Sequence, residues 1–352
     1  MKNATGLTFF CELEPEALTK LFQNRFVLDD LRSLGATVSL GILDFSKDRA
    51  EAVRKMNKLG IPVTAWLLLP KEQGYWFNLE NFPYAIARYE AFTSWSKAEK
   101  LHWAGVGVDI EPDIQQINDL LHRKPSVIAK AFKRWKNTQG YQQALLAYTG
   151  LVNKIHADGY SVEAYEIPLM VDDRKAKSTT IQQLVGLIDI PVDREVLMLY
   201  SSFIGAQGHA MLWSYAQQAQ AIGIGSTGGG VSMEASMSSG PALNWEEFSV
   251  DLRLATRTGK PIYVYSLEGC VQQGFFERLI TFDVDQPVKL PKTTLLSGFR
   301  NGLQGLLWLL QRPFVILIGI LGIAGSILFV RRKKMEILLI PKRIEQSQPI
   351  SG

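Results

Sequence analysis

Short apolar runs with the two-residue period of β-strands alternate with longer helical patterns over residues 1 to about 285. The helical patterns include 15–34, 49–59, 83–99, 140–157 and 245–258, and we predict eight strands near 7–12, 37–44, 62–69, 105–111, 161–167, 195–201, 222–226 and 262–268. Strands and helices that alternate in this way form a parallel sheet. Eight such units predict an α/β fold of the TIM (β/α)8 barrel type, whose chemistry collects at the carboxyl ends of the strands. An open doubly wound sheet is the competing architecture, although no GxGxxG fingerprint follows the first strand.

The fourth predicted strand, 105–111, carries the most informative pattern. Side chains alternate faces along a strand, so valines and an isoleucine share one face, while Gly105, Gly107, Asp109 and Glu111 share the other. Glycines on that second face indicate a crowded interior, with room for something at the carboxylate end. This pattern is typical of a barrel strand that leads into an active site.

An uncharged run, FVILIGILGIAGSILFV, occupies residues 314–330, and a further apolar piece covers 305–310. About 20 apolar residues span a bilayer, so we predict a transmembrane helix over 305–330 with Trp308 as an interfacial anchor. A buried helix of a soluble domain is the alternative. The basic block after residue 330 favours a cytoplasmic C-terminus, whereas residues 1–14 contain no recognisable signal peptide. Two topologies stay open: an exported N-terminal domain, or a tail-inserted protein with its bulk in the cytoplasm.

Charge and composition exclude some function classes. The net charge is +4, but six lysines and arginines lie between residues 331 and 343, so the rest of the chain has no basic excess. Nucleic-acid binding is therefore not predicted. The four histidines and two cysteines show no metal-ligand spacing, and we predict neither a metal nor a cofactor.

The two cysteines lie on the first and last units of the predicted barrel. If the barrel closes, these units are neighbours, which brings Cys11 near Cys270. The pair is then a disulfide in an exported domain or two thiols in a cytoplasmic one. Two unrelated buried cysteines are the third interpretation.

Acidic residues dominate the predicted strand ends. Asp109 and Glu111 close strand four, Glu166 strand five and Glu268 strand eight, while Tyr200 lies at the end of strand six. Two carboxylates at a barrel mouth suit glycoside hydrolysis, in which one acid protonates the leaving oxygen and a second group stabilises the oxocarbenium-like centre.

Aromatic residues cluster on and after the third predicted strand. Trp66, Tyr75, Trp76 and Phe77 are candidates for a platform on which sugar rings stack through their apolar faces. The alternative is that Trp66 packs inside the barrel and the other three cover a hydrophobic edge.

Strand four resembles the signature of the chitinase-like glycoside hydrolases of family 18, D-G-x-D-x-D-x-E, through Gly105, Asp109 and Glu111. The run from Met198 to Tyr200 is similar to the Met-x-Tyr pattern of that family. The resemblance implies that Glu111 is the acid/base and that Asp109 orients the N-acetyl group of the substrate, which itself acts as the nucleophile. It also implies that Tyr200 supports that group, and that the substrate is an N-acetylated amino-sugar polymer or glycoconjugate.

The chain departs from the family pattern at Ala104 and Gly107, where the family has aspartates, and at Ser201, where it has Asp or Asn. In the family the inner aspartate shares a proton with the next one, which Gly107 cannot do for Asp109. Two alternatives therefore stay open. One is a catalytically inactive, carbohydrate-binding barrel, and the other is hydrolysis of a sugar without an N-acetyl group, with Glu166 or Glu268 as the partner of Glu111.

Two other motifs point to different chemistry. Residues 107–111, Gly-Val-Asp-Ile-Glu, also resemble the magnesium motif of phosphopantetheinyl transferases, but the W-x-x-K-E segment of that family is missing at the expected place. The glycine-rich stretch 225–230 follows strand seven, where many barrels bind phosphate through backbone N–H groups. No lysine follows this stretch, so its signal is weak.

We therefore expect a TIM-barrel glycoside-hydrolase-like domain over 1–285, a juxtamembrane linker over 286–304, a transmembrane helix over 305–330 and a basic tail over 331–352. The expected partners are a carbohydrate and, through the C-terminal helix, the lipid bilayer. The expected catalytic residues are Glu111, Asp109 and Tyr200, and the expected substrate-binding residues are Trp66, Tyr75, Trp76, Glu166, Met198 and Glu268.

Overall fold

A computed structural model describes residues 6–230 and 242–312, together with the single residue Ser326. Eight parallel strands follow one another in chain order, and the last strand pairs with the first to close a barrel. They are β1 (Leu7–Cys11), β2 (Thr37–Ile42), β3 (Val63–Leu67), β4 (Gly105–Ile110), β5 (Val162–Glu166), β6 (Arg194–Met198), β7 (Ala221–Gly225) and β8 (Ile262–Tyr265). The predicted TIM barrel is confirmed, and an open doubly wound sheet is excluded.

Helices surround the strands and extend beyond β8. Those of the described residues are α1 (Pro15–Gln23), α2 (Arg25–Ser33), α3 (Lys47–Lys58), α4 (Phe82–Ala98), α5 (Ile114–Leu121), α6 (Ser126–Lys136), α7 (Thr138–Ala157), α8 (Leu169–Lys175), α9 (Thr180–Val185), α10 (Gly208–Ala216), α11 (Trp245–Thr256), α12 (Leu267–Gln272), α13 (Phe275–Ile280) and α14 (Thr294–Leu310).

The helix predicted over 15–34 is two helices, α1 and α2. Asn24 separates them with an extended backbone (φ −75°, ψ 105°), and its side chain accepts a hydrogen bond of 3.1 Å from the N–H of Phe26. Asparagine is a favoured N-cap because its side chain satisfies a helix N–H that has no partner within the helix. The apolar periodicity continues across this break, which is why the pattern alone reads as one helix.

The strands sort their side chains between two environments. Outward-facing residues such as Phe9, Val106 and Val108 pack under the helices, and they belong to the large hydrophobic core. Inward-facing aromatic residues fill the barrel; the rings of Phe10 and Tyr165, for example, are 4.7 Å apart. The barrel interior is therefore packed with side chains.

A buried arginine holds the loops that follow the first two strands. Arg49 on α3 is fully buried and donates to the carbonyls of Leu13 (3.0 Å) and Gly41 (2.7 Å) and to the carboxylate of Asp44 (2.7 Å). Charge-assisted bonds of this kind are stronger than neutral ones, and a guanidinium presents its donors in a fixed geometry. Arg49 thereby fixes the chain just beyond the carboxyl end of β1.

The last helix, α14, docks on the outer wall of the barrel against α8 and α10. Its Arg300 is 4% exposed and donates to the carboxylate of Asp172 (2.9 Å) and the carbonyl of Ser214 (3.0 Å). Its Leu307 packs with Ala176 and Ile181. This helix crosses the boundary predicted between the linker 286–304 and the membrane segment 305–330.

The uncharged run 314–330 lies outside the described residues, apart from Ser326. In the part of the chain that the structure does describe, no helix has both the length and the hydropathy to cross a bilayer.

Candidate active site

Four carboxylates meet at the carboxyl end of the barrel. Asp109 ends the inward face of β4, Glu111 follows that strand, Glu12 follows β1, and Glu268 lies in α12. Asp109 is 2% exposed, Glu12 5% and Glu268 8%, while Glu111 is half-buried. The negative charge of Glu12 acts on each of the other three. The four groups therefore form a single electrostatic cluster.

Burial and mutual repulsion shift the titration of the pair on β4. Burial raises the pKa of Asp109 well above its usual value, and the charges of Glu111 and Glu12 raise it further. Burial also raises the pKa of Glu111 to about 7; a hydrogen bond with Asp109 acts in the opposite direction, and the charge of Glu12 acts in the same one. A carboxyl with a pKa near 7 still holds a proton that it can donate at neutral pH.

Glu12 is a member of the site that the sequence predictions missed. Its carboxylate accepts a hydrogen bond from the hydroxyl of Tyr75 and one of 2.6 Å from the hydroxyl of Tyr265. Strand alternation carries a signal for it, because Glu12 shares the inward face of the first strand with Phe10. Burial, together with the charge of Glu12, raises the pKa of both tyrosines, so their hydroxyls stay protonated as donors.

Gly107 faces the aromatic ring of Tyr165 across the barrel interior. A Cβ atom at residue 107 would overlap the Tyr165 hydroxyl and come within 2.7 Å of its Cζ atom. That hydroxyl shares a hydrogen bond of 2.6 Å with Ser39 and donates one of 3.4 Å to Glu163. The space where the family pattern has an inner aspartate is thus filled by a neutral phenol from the neighbouring strand.

Tyr200 follows β6 and lies beside the carboxylates. Burial raises its pKa well above the usual value, and the charges of Asp109, Glu111 and Glu12 raise it further. Its ring centroid is 5.7 Å from that of Tyr265. Met198 is half-buried on the same inward face.

The residue after Tyr200 has a different role. Ser201 donates a hydrogen bond of 2.5 Å to Asp251 on α11 and is itself buried. The position where the family has Asp or Asn is therefore used here to tie the loop after β6 to the helix layer.

Glu268 holds the glycine-rich loop after β7 over the mouth of the barrel. Strand β8 ends at Tyr265, three residues earlier than predicted, and Glu268 is on α12. Its carboxylate accepts hydrogen bonds from the backbone N–H groups of Gly230 (2.8 Å) and Glu12 (3.3 Å). Burial raises the pKa of Glu268 to about 7. The structure therefore brings Glu268 to the site as predicted, but its carboxylate is hydrogen-bonded to the glycine-rich loop.

The backbone conformation of that loop requires glycine at two positions. Gly229 and Gly230 both have φ near +84°, and a Cβ at Gly229 would lie 2.6 Å from the Ser266 hydroxyl. The N–H of Gly228 donates to Ser226, 3.0 Å away, and that of Gly230 to Glu268. Both donors are already used, one of them by a carboxylate, so the loop is poorly suited to hold a phosphate.

The predicted aromatic platform is largely buried. Trp66 is 3% exposed, Tyr75 4% and Trp76 6%. Trp66 packs edge-on to Phe10 with ring centroids 5.2 Å apart, as the barrel-packing interpretation of that residue expected. Tyr75 reaches the site through its hydroxyl, and Trp76 packs against Tyr75.

Glu166 is the predicted site residue that the structure does not bring to the mouth. It faces the helix layer, where its carboxylate accepts a hydrogen bond of 2.6 Å from Arg174 on α8. The same guanidinium also binds Asp189 and Glu195. Strand alternation explains the difference, because Glu166 shares the outward face of β5 with Ala164. It is therefore not placed to act as the partner of Glu111.

The two cysteines are free and buried, so of the three interpretations the disulfide is not the one observed. They lie in the same core cluster, on β1 and α12, as barrel closure requires. Burial raises the pKa of the Cys270 thiol to about 12 and that of Cys11 well above its usual value, so both are poor nucleophiles.

Within residues 6–230 and 242–312, no group of three or more His, Cys, Asp or Glu side chains is arranged to hold a metal ion. A cavity of about 260 Å³ lies elsewhere, on the outer wall beside α14, and its lining includes Lys175, Trp213 and Asn301. It is remote from the four carboxylates.

No protein-family model matches the chain, and no curated protein matches it in sequence. Solved structures are similar in fold at low sequence identity. One is a GH18 chitinase from Pseudoalteromonas aurantia, with 10% identity over 79% of this chain and 99% of that chain and a TM-score of 0.46. Another is the catalytic domain of a mannanase from Streptomyces sp. SirexAA-E, with 12% identity over 75% of each chain and a TM-score of 0.38. A xylose isomerase domain containing protein from Salmonella typhimurium has 8% identity over 79% of this chain and 98% of that chain, with a TM-score of 0.42.

Proposed function

We propose that this protein is a membrane-anchored, glycoside-hydrolase-like barrel that cleaves an N-acetylated amino-sugar polymer or glycoconjugate, with Glu111 as the general acid. The observation that carries the proposal is the position and titration of Glu111. It lies at the barrel mouth, and burial together with Glu12 raises its pKa to about 7. A carboxyl in this state can protonate a leaving glycosidic oxygen at neutral pH.

Asp109 and Tyr200 complete the proposed mechanism. Asp109 is hydrogen-bonded to Glu111, and we assign it the role of orienting the N-acetyl group that attacks the sugar carbon. The Tyr200 hydroxyl keeps its proton because of burial and the surrounding acids, so it can donate a hydrogen bond to the same group. In this scheme the N-acetyl oxygen supplies the nucleophile, and Glu111 then takes a proton from the water that completes hydrolysis.

The membrane part of the proposal rests on the uncharged run 314–330 and the basic block that follows it. We propose that the run spans the bilayer once and holds the barrel at the membrane. The carbohydrate and the bilayer are then the two partners of the chain.

The test is hydrolysis of fluorogenic glycosides, including N-acetylglucosamine oligomers, by the full-length protein and its Glu111→Gln variant. The full chain is needed because α14 contributes the buried residues Arg300 and Leu307, which a truncation at 285 would remove. Glu72→Gln is the matched control, since Glu72 is exposed in the loop after β3. We expect turnover in the wild type and in the control, and none in Glu111→Gln. Equal turnover in all three proteins would contradict the assignment of Glu111.

A specific observation favours a second candidate, a carbohydrate-binding barrel without catalysis. Tyr165 fills the space beside Gly107, so no second carboxylate is available there to share a proton with Asp109. Sugar binding by the wild type without hydrolysis at any pH, lost in an Asp109→Asn variant, would support this candidate over the enzyme.

A further inference from the structure

Helix α14 carries an apolar stripe that no described part of the protein covers. Leu295 is 82% exposed, Phe299 63% and Leu306 54%, and Leu309 and Leu310 continue the stripe. The positions 295, 299, 302, 306 and 309 recur every three or four residues, so they form one face of the helix. Residue 302 is a glycine, and a Cβ added there would meet nothing within 4 Å.

The face of the same helix that docks on the barrel is partly polar. Arg300, Leu303, Gln304 and Leu307 contact the barrel wall; the Nε2 of Gln304 donates to Asp172 at 2.7 Å, beside the bond from Arg300. The docked face therefore holds buried hydrogen bonds, while the apolar stripe is left outside. Large side chains rarely form a continuous exposed patch unless the patch binds something.

We propose that the apolar stripe of α14 lies in the headgroup region of a phospholipid bilayer, so that the barrel rests on the membrane through this helix. The inference rests on the membrane anchoring included in the proposed function. The chain continues from Arg312 directly into the uncharged run 314–330, which places the C-terminal end of α14 at the surface of any bilayer that the run enters.

Charge and aromatic placement fit the same occupant. Residues 286–312 contain no acidic residue. Arg300 is bonded to Asp172, and the other three basic residues, Lys289, Lys292 and Arg312, favour an anionic lipid surface. At the C-terminal end of α14, the guanidinium of Arg312 lies 4.3 Å from the ring centroid of Trp308, which is 40% exposed. Tryptophan is enriched at the membrane–water interface, where its ring can be apolar on one side and polar on the other.

This contact would fix the orientation of the barrel, and so of its active site, relative to the membrane. Because Arg300 and Gln304 are bonded to α8 and Leu307 is buried, α14 cannot act as a loose tether. A bilayer in contact with the stripe therefore holds the barrel at one fixed orientation, with α8 and α10 facing the helix that lies on the membrane.

The experiment uses the full-length protein reconstituted in vesicles of phosphatidylcholine and phosphatidylglycerol. An environment-sensitive fluorophore is attached to Phe299→Cys, Leu306→Cys, Leu146→Cys or Ser326→Cys, one per protein, and lipids with a nitroxide near the headgroup serve as quenchers. Cys11 and Cys270 are buried and do not compete for the label. Leu146 on α7 is 74% exposed and is the matched control.

We expect blue-shifted emission and strong quenching at 299 and 306, and red-shifted, unquenched emission at 146. Emission at 299 and 306 that matches the control would overturn the inference, as would a blue shift without lipid quenching, since another protein segment would then cover the stripe. The label at 326 separates this inference from the anchor. Quenching at 326 alone would support the membrane anchor and contradict the interfacial position of α14. Absence of quenching at 299, 306 and 326 would contradict both proposals.

Discussion

The hydroxyl of Tyr165 occupies the space beside Gly107, and this contact decides what chemistry the interior of the barrel can support. The ring fits only because residue 107 has no side chain, and its hydroxyl shares a 2.6 Å hydrogen bond with Ser39. A phenol at this position donates a hydrogen bond but does not ionise near neutral pH, because burial and the charge of Glu163 raise its pKa well above the usual value. Asp109 therefore interacts with Glu111 and Glu12, and not with a second aspartate below it.

The contact between Gly107 and Tyr165 predicts a cost for any side chain at residue 107. A Gly107→Ala variant forces the Tyr165 ring out of place, and overpacking of a core costs about 1–3 kcal/mol. Gly150→Ala is the control, because a Cβ there meets nothing within 4 Å on α7, and helix propensity predicts a gain of up to about 1 kcal/mol. Urea unfolding of both variants measures the difference. Equal stability of Gly107→Ala and the wild type would show that the Tyr165 ring can move aside without an energetic cost.

The proximity of Glu12 to Glu111 predicts a change in the pH profile of activity. The negative charge of Glu12 raises the pKa of Glu111, so a Glu12→Gln variant should lower the pKa of Glu111. A general acid with a lower pKa loses its proton earlier as pH rises, so the alkaline limb of kcat/KM should move to lower pH.

Glu14→Gln serves as the control for Glu12→Gln, because Glu14 is exposed two residues further along the same loop. The alkaline limb should stay in place in that variant. Carbon NMR of labelled glutamate carboxyls gives the same comparison without turnover. A Glu111 titration that is unchanged in Glu12→Gln would show that the two charges do not interact across the mouth.

Part of this site follows from the alternation of side chains along strands. The hydrophobic pattern and its two-residue period predict the eight strands and the closed barrel. They also predict that Asp109 and Glu111 lie at the end of β4. The same rule, applied to the first and fifth strands, would have added Glu12 and removed Glu166. Tyr165 could not be placed in this way, because its contact with Gly107 depends on the pairing register of β4 with β5 and on one rotamer.

The docking of α14 is the feature least accessible to sequence reasoning. Its apolar residues read as the start of a membrane helix, since hydropathy does not distinguish a face buried on protein from one buried in lipid. Arg300 and Gln304 distinguish the two cases. In the sequence they resemble solvent-exposed residues of a linker, but in the structure both donate hydrogen bonds to Asp172. Their partner is over one hundred residues away in the chain, so no local pattern links them.

The raised pKa of Glu268 predicts how its removal affects stability at different pH values. A carboxyl whose pKa is higher in the folded state than its usual 4.5 favours folding when protonated, and this contribution is lost as pH rises to about 7. A Glu268→Gln variant cannot ionise but keeps an oxygen that accepts from Gly230 and Glu12. It should match the wild type below about pH 4.5 and exceed it above pH 7, by up to about 3 kcal/mol. Thermal unfolding at pH 4.5 and 8 tests this; a constant difference between the two proteins at both pH values would contradict it.

The bond between Arg300 and Asp172 predicts that α14 is held by a buried ion pair. Asp172 is fully buried, so an Arg300→Met variant leaves its charge without a cation, which typically costs about 3–5 kcal/mol. The double variant Arg300→Met/Asp172→Asn removes the uncompensated charge, and it should be more stable than Arg300→Met alone.

Arg312→Met is the control for the Arg300 substitution, because the Arg312 guanidinium lies over Trp308 near the surface and should contribute less than about 0.5 kcal/mol. Urea unfolding in detergent gives the free energies, and limited proteolysis near residue 290 reports release of the helix. We expect faster cleavage in Arg300→Met than in the double variant or in Arg312→Met. Cleavage and stability that are equal in Arg300→Met and Arg312→Met would mean that apolar packing around Leu307, and not the ion pair, keeps α14 on the barrel.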